Sequence, residues 1–365
     1  MKGDTGWVPI DIPHTWNNSD IQSGEKVQYG TGWYKKELLF QKSPQDRQYF
    51  LRFDGVGQHA MLYINGSYVG EHLGSYSGFC FNITSFLKWD TINLIALRAN
   101  NELNASYPRD NFLFGIYGGI YRDVSLIVTD NIHISLTDHG SPGVYIHQDY
   151  ISRHNARFRS VTHLKNDGTE MRSVTLSSIL IDGEGNVVKE NELKIDLYPG
   201  GPVPVTLWME VRDPRLWNGK EDPHLYTLQT SILQDGHVLD RTAQKTGIRF
   251  FSIDPEEGFI LNGKPYRLFG VCRHQEWQDL GNALLPEHHR RDMELIDELG
   301  ATSIRLAHYQ QAQYIYDLAD SLGILVWAEI PFVNGYLEGA DGNAMQQLTE
   351  LIKQNFNHPS IFVWG

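Results

Sequence analysis

The chain has 365 residues and carries 44 acidic against 31 basic side chains, a formal net charge of −13. At about 100–200 residues per domain this length suggests two or three domains, and a surface this acidic repels nucleic acid and anionic lipid rather than seeking them. Two cysteines, Cys80 and Cys272, make neither a disulfide framework nor a metal-ligand spacing, and no apolar run approaches the ~18 residues of a membrane span.

Aromatic residues make up 12% of the chain, which suits β-rich cores and, equally, clefts where rings stack on the apolar faces of sugars. The opening residues hold no apolar segment of the secretion-signal kind. The sequence leaves cytoplasmic, periplasmic and secreted locations open.

Residues 1–128 read as short strands between turn signals: Tyr49–Phe53, Ala60–Ile64 and Ile92–Arg98, with Asn65-Gly66 as a hairpin turn and Gly118-Gly119 as a break. Many short strands with close turns predict a β-sandwich or jelly roll. Residues 129–247 repeat the style. Phe158–Leu164 and Val174–Ile181 alternate, and Leu225–Leu233 pairs with Val238–Thr242 across Asp235-Gly236. About seven strands over this length predict an immunoglobulin-like sandwich without the antibody disulfide.

From residue 248 strands alternate with helices. Strands are expected at Arg267–Val271, Ser303–Leu306, Ile324–Ala328 and Ile361–Trp364, with helices at Glu287–Leu299, Ala312–Leu322 and Ala344–Phe356. Gly300 and Gly323 close the first two helices. The order predicts a parallel sheet, and its uniformly apolar runs fit strands buried on both faces. A doubly wound sheet and the first half of a (β/α)8 barrel both give this pattern. No glycine-rich phosphate loop follows the first strand, which argues against a nucleotide fold.

Polar residues gather at the C-terminal ends of these strands, where barrels carry active sites. They are Arg273-His274-Gln275-Glu276-Trp277, then Arg305 and His308-Tyr309, then Glu329, and finally Trp364. The pair His288-His289 falls on a helix start and reads as solvated.

Together these runs resemble glycoside hydrolase family 2, which contains β-galactosidases, β-glucuronidases and β-mannosidases. The resemblance spans essentially the whole chain, in the order sugar-binding jelly roll, immunoglobulin-like domain and barrel. It rests on Ile12-Pro13-His14-Thr15-Trp16, Leu51-Arg52-Phe53-Asp54-Gly55-Val56, Tyr63-Ile64-Asn65-Gly66 and Gly118-Gly119-Ile120-Tyr121-Arg122-Asp123-Val124, with Gly247-Ile248-Arg249 at the passage into the barrel. Gly270-Val271-Cys272-Arg273-His274 is similar to the family's Gly-Val-Asn-Arg-His, with Cys272 in the Asn place. Ile304-Arg305-Leu306-Ala307-His308-Tyr309 is similar to Val-Arg-x-x-His-Tyr-Pro, with Gln310 in the Pro place. Asn357-His358-Pro359-Ser360 is similar to the Asn-His-Pro-Ser run before the fourth strand.

The resemblance implies a retaining exo-β-glycosidase acting on terminal β-galactosides, with β-glucuronidase, β-mannosidase and a non-catalytic carbohydrate-binding protein as alternatives. It implies sugar contacts at His274, Arg305, His308, Glu329 and Trp364, and at Asp110, which the first domain would push into the barrel mouth. Glu329 has a second reading as a strand-end carboxylate held by Arg305. The residues after Glu329 lack the Glu and His of the magnesium-dependent members, so no such metal and no cofactor is expected. The family's acid/base Glu follows the fourth strand directly, and its nucleophile Glu follows the seventh. The 365 residues are therefore expected to be inert alone. Four strands cannot close a barrel of eight, so bare edges and a tendency to self-associate into homo-oligomers are expected as well.

Overall fold

The computed structural model describes residues 6–43, 47–108 and 114–365. In the first unit a four-stranded antiparallel sheet runs in the order Thr31–Phe40, Thr91–Asn100, His59–Ile64, Ser67–Leu73. It faces a three-stranded sheet in the order Phe79–Asn82, Arg47–Phe53, Val124–Asp130. Alternation decides which side chains fill the space between: Ala60, Leu62 and Ile64 are buried while their neighbours are not. Asn65 and Gly66 both have positive φ, 53° and 85°, the geometry of the tight hairpin turn that their sequence predicts.

The second unit is a sandwich of two four-stranded sheets. In one, the central strand Asn155–Asn166 has Gly200–Arg212 on one side and Val144–Ile151 with Ile132–Ile134 on the other. The second sheet runs Val187–Leu197, Arg172–Ile181, Tyr226–Gln234, His237–Thr246. Phe158, Leu164, Leu176 and Leu228 lie between them. Eight strands stand where about seven were expected. The short Ile132–Ile134 is the kind of strand that alternation cannot reveal. Both cysteines are free thiols.

The third unit opens with a small antiparallel sheet, Phe251–Asp254, Gly258–Leu261 and Lys264–Pro265, that the sequence reading did not anticipate. Phe259 and Leu261 pack with Leu325 and Phe362, so this sheet plugs the N-terminal end of the parallel sheet. The parallel sheet follows in the order Gly270–Arg273, Ser303–Leu306, Leu325–Ala328, Ile361–Trp364, each strand beside the next in the chain. That order makes it a partial barrel rather than a doubly wound sheet. The first strand begins three residues later than expected. Phe269 is 56% exposed, and its carbonyl accepts from Thr302 and Ser303 before the regular ladder begins.

Helices Pro286–Glu298, Gln313–Leu322 and Asp341–Asn355 cover the outer side of the sheet through Met293, Ile296, Ile315, Ala319 and Leu351. Gly323 closes the second of them at φ 72°, where a Cβ would stand 2.2 Å from the carbonyl oxygen of Gly219. Glycine is thus required there by conformation and by space. The sheet is open. Gly270–Arg273 and Ile361–Trp364 each pair with one strand only among the described residues.

The three units are joined by small shared apolar clusters, Trp217 with Phe259, Leu261 and Leu325, and Tyr76 and Phe114 with Tyr309, and by polar side chains around them. Asn357 accepts from the Ile146 N–H and donates to the Val144 carbonyl, both at 2.8 Å, and so caps a strand of the second unit. His358 binds Asp320 at 2.6 Å, Ser360 N–H donates to the same carboxylate at 3.1 Å, and Arg249 donates to the Pro359 carbonyl at 2.8 Å. Within the Asn-His-Pro-Ser run, Asn357 is therefore the bracket to the second unit, while His358, Pro359 and Ser360 fix the run to Asp320 and Arg249 of their own unit. Replacing Asn357 with Ala strands a buried N–H and a buried carbonyl. We expect a loss of about 1–3 kcal/mol in urea unfolding, and at least as much for Asn357→Asp at pH 7, which keeps the acceptor but sets a carboxylate oxygen against the Val144 carbonyl.

Candidate active site

The inner face of the parallel sheet is set by register. Arg305 lies opposite Cys272 on one side and Trp327 on the other, and these side chains point away from the helix-side core that holds Ile304, Leu306, Val326 and Ala328. Past the strand ends come His274, His308 and Glu329.

Glu329 is 6% exposed and is the hub. Its Oε2 accepts from Arg305 Nε at 3.0 Å, its Oε1 accepts from His308 Nδ1 at 2.8 Å, and Arg305 Nη2 stands 2.9 Å from Oε1 in the ion pair. This is the two-pronged guanidinium–carboxylate geometry that fixes orientation as well as charge. Burial alone would lower the Arg305 pKa, but the hydrogen bond and charge of Glu329 outweigh it, and the pKa is raised. Since an ionised carboxylate only accepts, the proton of His308 sits on Nδ1, and Nε2 is left to face a ligand. His274 lies beside it with ring centroids 5.3 Å apart. Burial holds His274 below the ordinary imidazole pKa, with Glu276 pulling the other way, so it is neutral at pH 7. Its Nδ1 is buried without a hydrogen-bond partner among the described residues.

The first unit supplies a wall of this site. Phe114 lies 6.0 Å from the His308 ring and 6.3 Å from that of His274. Tyr76 stacks on Tyr309 at 4.2 Å. The Tyr117 hydroxyl donates to Glu276. Arg122 ties the joint by donating to the Tyr76 carbonyl at 2.6 Å and to the Gln310 carbonyl of the barrel at 2.9 Å.

Of the residues singled out by sequence, the structure brings His274, Arg305, His308 and Glu329 together. Trp364 is placed differently: it pairs with Ala328 and packs with the helix-side core, away from that group. Asp110 lies outside the described residues. Phe114 was not foreseen as a site residue, and Trp327, which is 41% exposed on the inner face, was foreseen only as part of the third strand's end. Phe114 has no motif of its own, only its place just before Gly118-Gly119.

The reading of His288-His289 as solvated is corrected. His289 is 4% exposed, and its Nδ1 accepts from Arg273 at 3.1 Å. Its position four residues before the buried Met293 was the available signal. Arg273 in turn grips Asp292 at 2.6 Å, so this cluster anchors the first strand to its helix and faces away from the site. Among the described residues no group of three or more His, Cys, Asp or Glu side chains is placed to hold a metal ion.

Such a face offers imidazole and carboxylate hydrogen bonds to a polyhydroxylated ligand beside aromatic rings, the usual make-up of a sugar pocket. Comparison with known proteins agrees. A family model described as the glycosyl hydrolases family 2 sugar binding domain matches residues 7–130, one described as glycosyl hydrolases family 2 matches residues 134–249, and one described as the family's TIM barrel domain matches residues 253–365. A β-glucuronidase of Bacteroides fragilis is 43% identical, over 100% of this chain and 53% of that protein. A putative β-glucuronidase of Formosa agariphila is 35% identical, over 99% of this chain and 43% of that protein. The crystal structure of a putative β-galactosidase from Bacteroides fragilis superposes with a TM-score of 0.97 at 43% identity, covering 99% of this chain and 54% of that one. The chain spans about half the length of these relatives.

The buried cluster behind the site makes a pH prediction. Burial, with Arg273 adding to it, lowers His289 from 6.5 to about 3. The unfolded chain takes up a proton below pH 6.5 and the folded chain does not. The stabilisation is therefore complete above that pH and is lost as pH falls toward 3. This one group should cost about 2 kcal/mol between pH 7 and pH 5. Urea unfolding of wild type and His289→Asn, which keeps an acceptor for Arg273 but cannot titrate, should show a pH dependence that is smaller in the variant by about that amount, the rest coming from other histidines held below their ordinary pKa, such as His274.

Proposed function

Because this chain belongs to glycoside hydrolase family 2, we propose that the protein carrying it is a retaining exo-β-glycosidase that hydrolyses terminal β-glucuronides. The observation that carries the reading is the convergence of His274, Arg305, His308 and Glu329 from three consecutive strand ends under the Phe114 ring of the first unit. In a partial barrel this is the end where a substrate is held.

Retention requires two carboxyl groups about 5–5.5 Å apart, one to attack the anomeric carbon and one to move the proton. Glu329 is a poor candidate for either. Hydrogen bonds from Arg305 and His308 and the ion pair to Arg305 occupy its oxygens and fix its orientation. Glu276 is held by the Tyr117 hydroxyl. Both are read as positioning groups. The reacting pair is assigned to glutamates in the part of the relatives that this chain does not span, where the family resemblance puts them.

The strand-end motifs by themselves favoured β-galactosides. The relatives move that reading. The more similar Bacteroides fragilis and Formosa agariphila proteins, at 43% and 35% identity, carry the names β-glucuronidase and putative β-glucuronidase, while a Bacteroides ovatus protein named β-galactosidase is 31% identical over 99% of this chain. A glucuronide brings a carboxylate that needs a cation. Arg305 is already neutralised by Glu329, so that cation too is assigned to the part not spanned. β-Galactosidase is the second reading.

The test is an assay with p-nitrophenyl β-glucuronide and β-galactoside, on residues 1–365 and on the product of the reading frame continued past Gly365. The shorter protein should show no turnover. The longer should cleave the glucuronide at least tenfold more efficiently, with the β-anomer released first. Turnover by residues 1–365 alone would remove the assignment of the reacting pair, and a galactoside preference would install the second reading.

A further inference from the structure

The outer face of the first unit's four-stranded sheet carries a row of aromatic rings unconnected with the strand-end site. Alternation separates the two faces. Tyr34, Leu38, Leu62, Ile64, Leu97 and Ala99 point into the jelly-roll core, so Trp33, Tyr63 and Arg98 point out. Trp33 is 47% exposed and Tyr68 is 48% exposed, with the half-buried Tyr63 between them. Ring centroids stand 5.7 Å apart from Trp33 to Tyr63 and 5.6 Å apart from Tyr63 to Tyr68. Tyr63 and Tyr68 are a direct cross-strand pair, and the small Ala96 beside Tyr63 leaves its ring uncovered on that side. Cross-strand ring pairs add to sheet stability by themselves, but a contiguous row of three, with Trp33 and Tyr68 nearly half exposed, also presents an aromatic surface to a ligand.

The charges around the row select the kind of ligand. Arg98 lies in register between Trp33 and Met61. Its Nη2 donates to Thr31 Oγ1 at 3.1 Å and its Nη1 to Met61 Sδ at 3.5 Å. Among the described residues no carboxylate pairs with it, although the chain as a whole carries a net charge of −13. Lys35, one step along the strand on the same face, holds its ammonium 4.4 Å over the Trp7 ring. The nearby Glu71 is engaged by His59 at 2.8 Å. A guanidinium fixed by neutral partners beside exposed rings is a carboxylate receptor with an aromatic floor.

We propose that this face is a second, non-catalytic glycan-binding surface, on which Trp33, Tyr63 and Tyr68 stack successive sugars of a uronate-bearing polysaccharide and Arg98 pairs with a carboxylate. The C–H face of a pyranose packs on a ring, and the uronate provides the anion that Arg98 lacks. The ring planes are inclined by 42° and 61° to one another, following the twist of the sheet. A flat crystalline surface would meet only one of them, whereas a single chain in solution can follow the turn. The surface keeps a polymer attached while its ends are presented to the strand-end site. The inference stands on this geometry and not on which glycoside the protein cleaves.

The test is electrophoresis of the full 365-residue chain through native gels containing either polygalacturonate or neutral galactan. Polygalacturonate should retard the wild type, and galactan should do so at least tenfold less. Trp33→Ala/Tyr68→Ala should lose the retardation with an unchanged thermal melt, since both side chains are at the surface. Arg98→Gln should lose the preference for polyuronate while keeping weak retardation. Absence of retardation, retardation undiminished in the double variant, or equal retardation by galactan would overturn the proposal. So would a dimer in sedimentation that the double variant dissolves without any glycan effect, because the face would then be covered by a second copy of the chain.

Discussion

A buried carboxylate has to be neutralised, and the inner face of this partial barrel is organised around one. Glu329, 6% exposed, is surrounded by Arg305 and His308. Removing a carboxylate from water is tolerable only when its lone pairs are filled and its charge balanced. The parallel register makes this arrangement available. Arg305 is opposite Trp327, so its side chain points up the same face from which Glu329 emerges two residues later. Once the guanidinium is fixed, its plane lies 5.7 Å from the Trp327 ring, and His308 is locked in one tautomer. One charge balance thus orients a guanidinium, an imidazole and an indole toward the same space. The same engagement disqualifies Glu329 from attacking or protonating a substrate.

A second constraint closes the space from the side. Four parallel strands do not make a pocket, but the first unit stands against their C-terminal ends through Arg122, Tyr76 and Phe114. The last helix acts as a ledge for it. Gln354 donates to the carbonyls of Gly78 and His139 at 2.7 and 2.6 Å, and His72 binds Glu350 at 3.0 Å. These contacts are polar and span more than 200 residues of sequence. With the small apolar clusters at Trp217 and at Tyr76 they hold three units, each with a main core of its own, in one geometry. The carbohydrate-binding potential of the first unit is thereby split between its edge, which walls the strand-end site, and its outer sheet face.

Much of this architecture was legible because local chemistry and global fold agree. Asn65-Gly66 makes its turn, Gly323 ends its helix where no other residue fits, and apolar runs bounded by helices made the parallel sheet. What escaped has physical reasons too. The plug sheet at Phe251–Leu261 was missed because short strands beside charged turns look like a linker. His289 looked solvated because two adjacent histidines at a helix start resemble a polar cap, while only the spacing to Met293 reveals burial. Trp364 was grouped with the site on its strand-end position, but a register shift between Val326 and Trp327 in the pairing with the fourth strand sets it opposite Ala328, on the helix side. Phe114 belongs to the site through docking of whole units, which no local pattern encodes. Sugar preference is the least legible property. The motifs that announce the family are read in a chain that matches relatives named for both sugars, and the motif-based leaning to galactosides gave way when the relatives were compared.

The central claim is that the carboxylates on this face hold the site and do not react. The measurement that meets it most directly is covalent trapping. The product of the reading frame continued past Gly365 would be inactivated with a 2-deoxy-2-fluoro β-glycoside and the modified peptide mapped. The account predicts the sugar on a glutamate other than Glu276 and Glu329, with both of these unmodified at full inactivation. An ester on Glu329 would contradict it, because the residue described as fixed between Arg305 and His308 would then be the nucleophile.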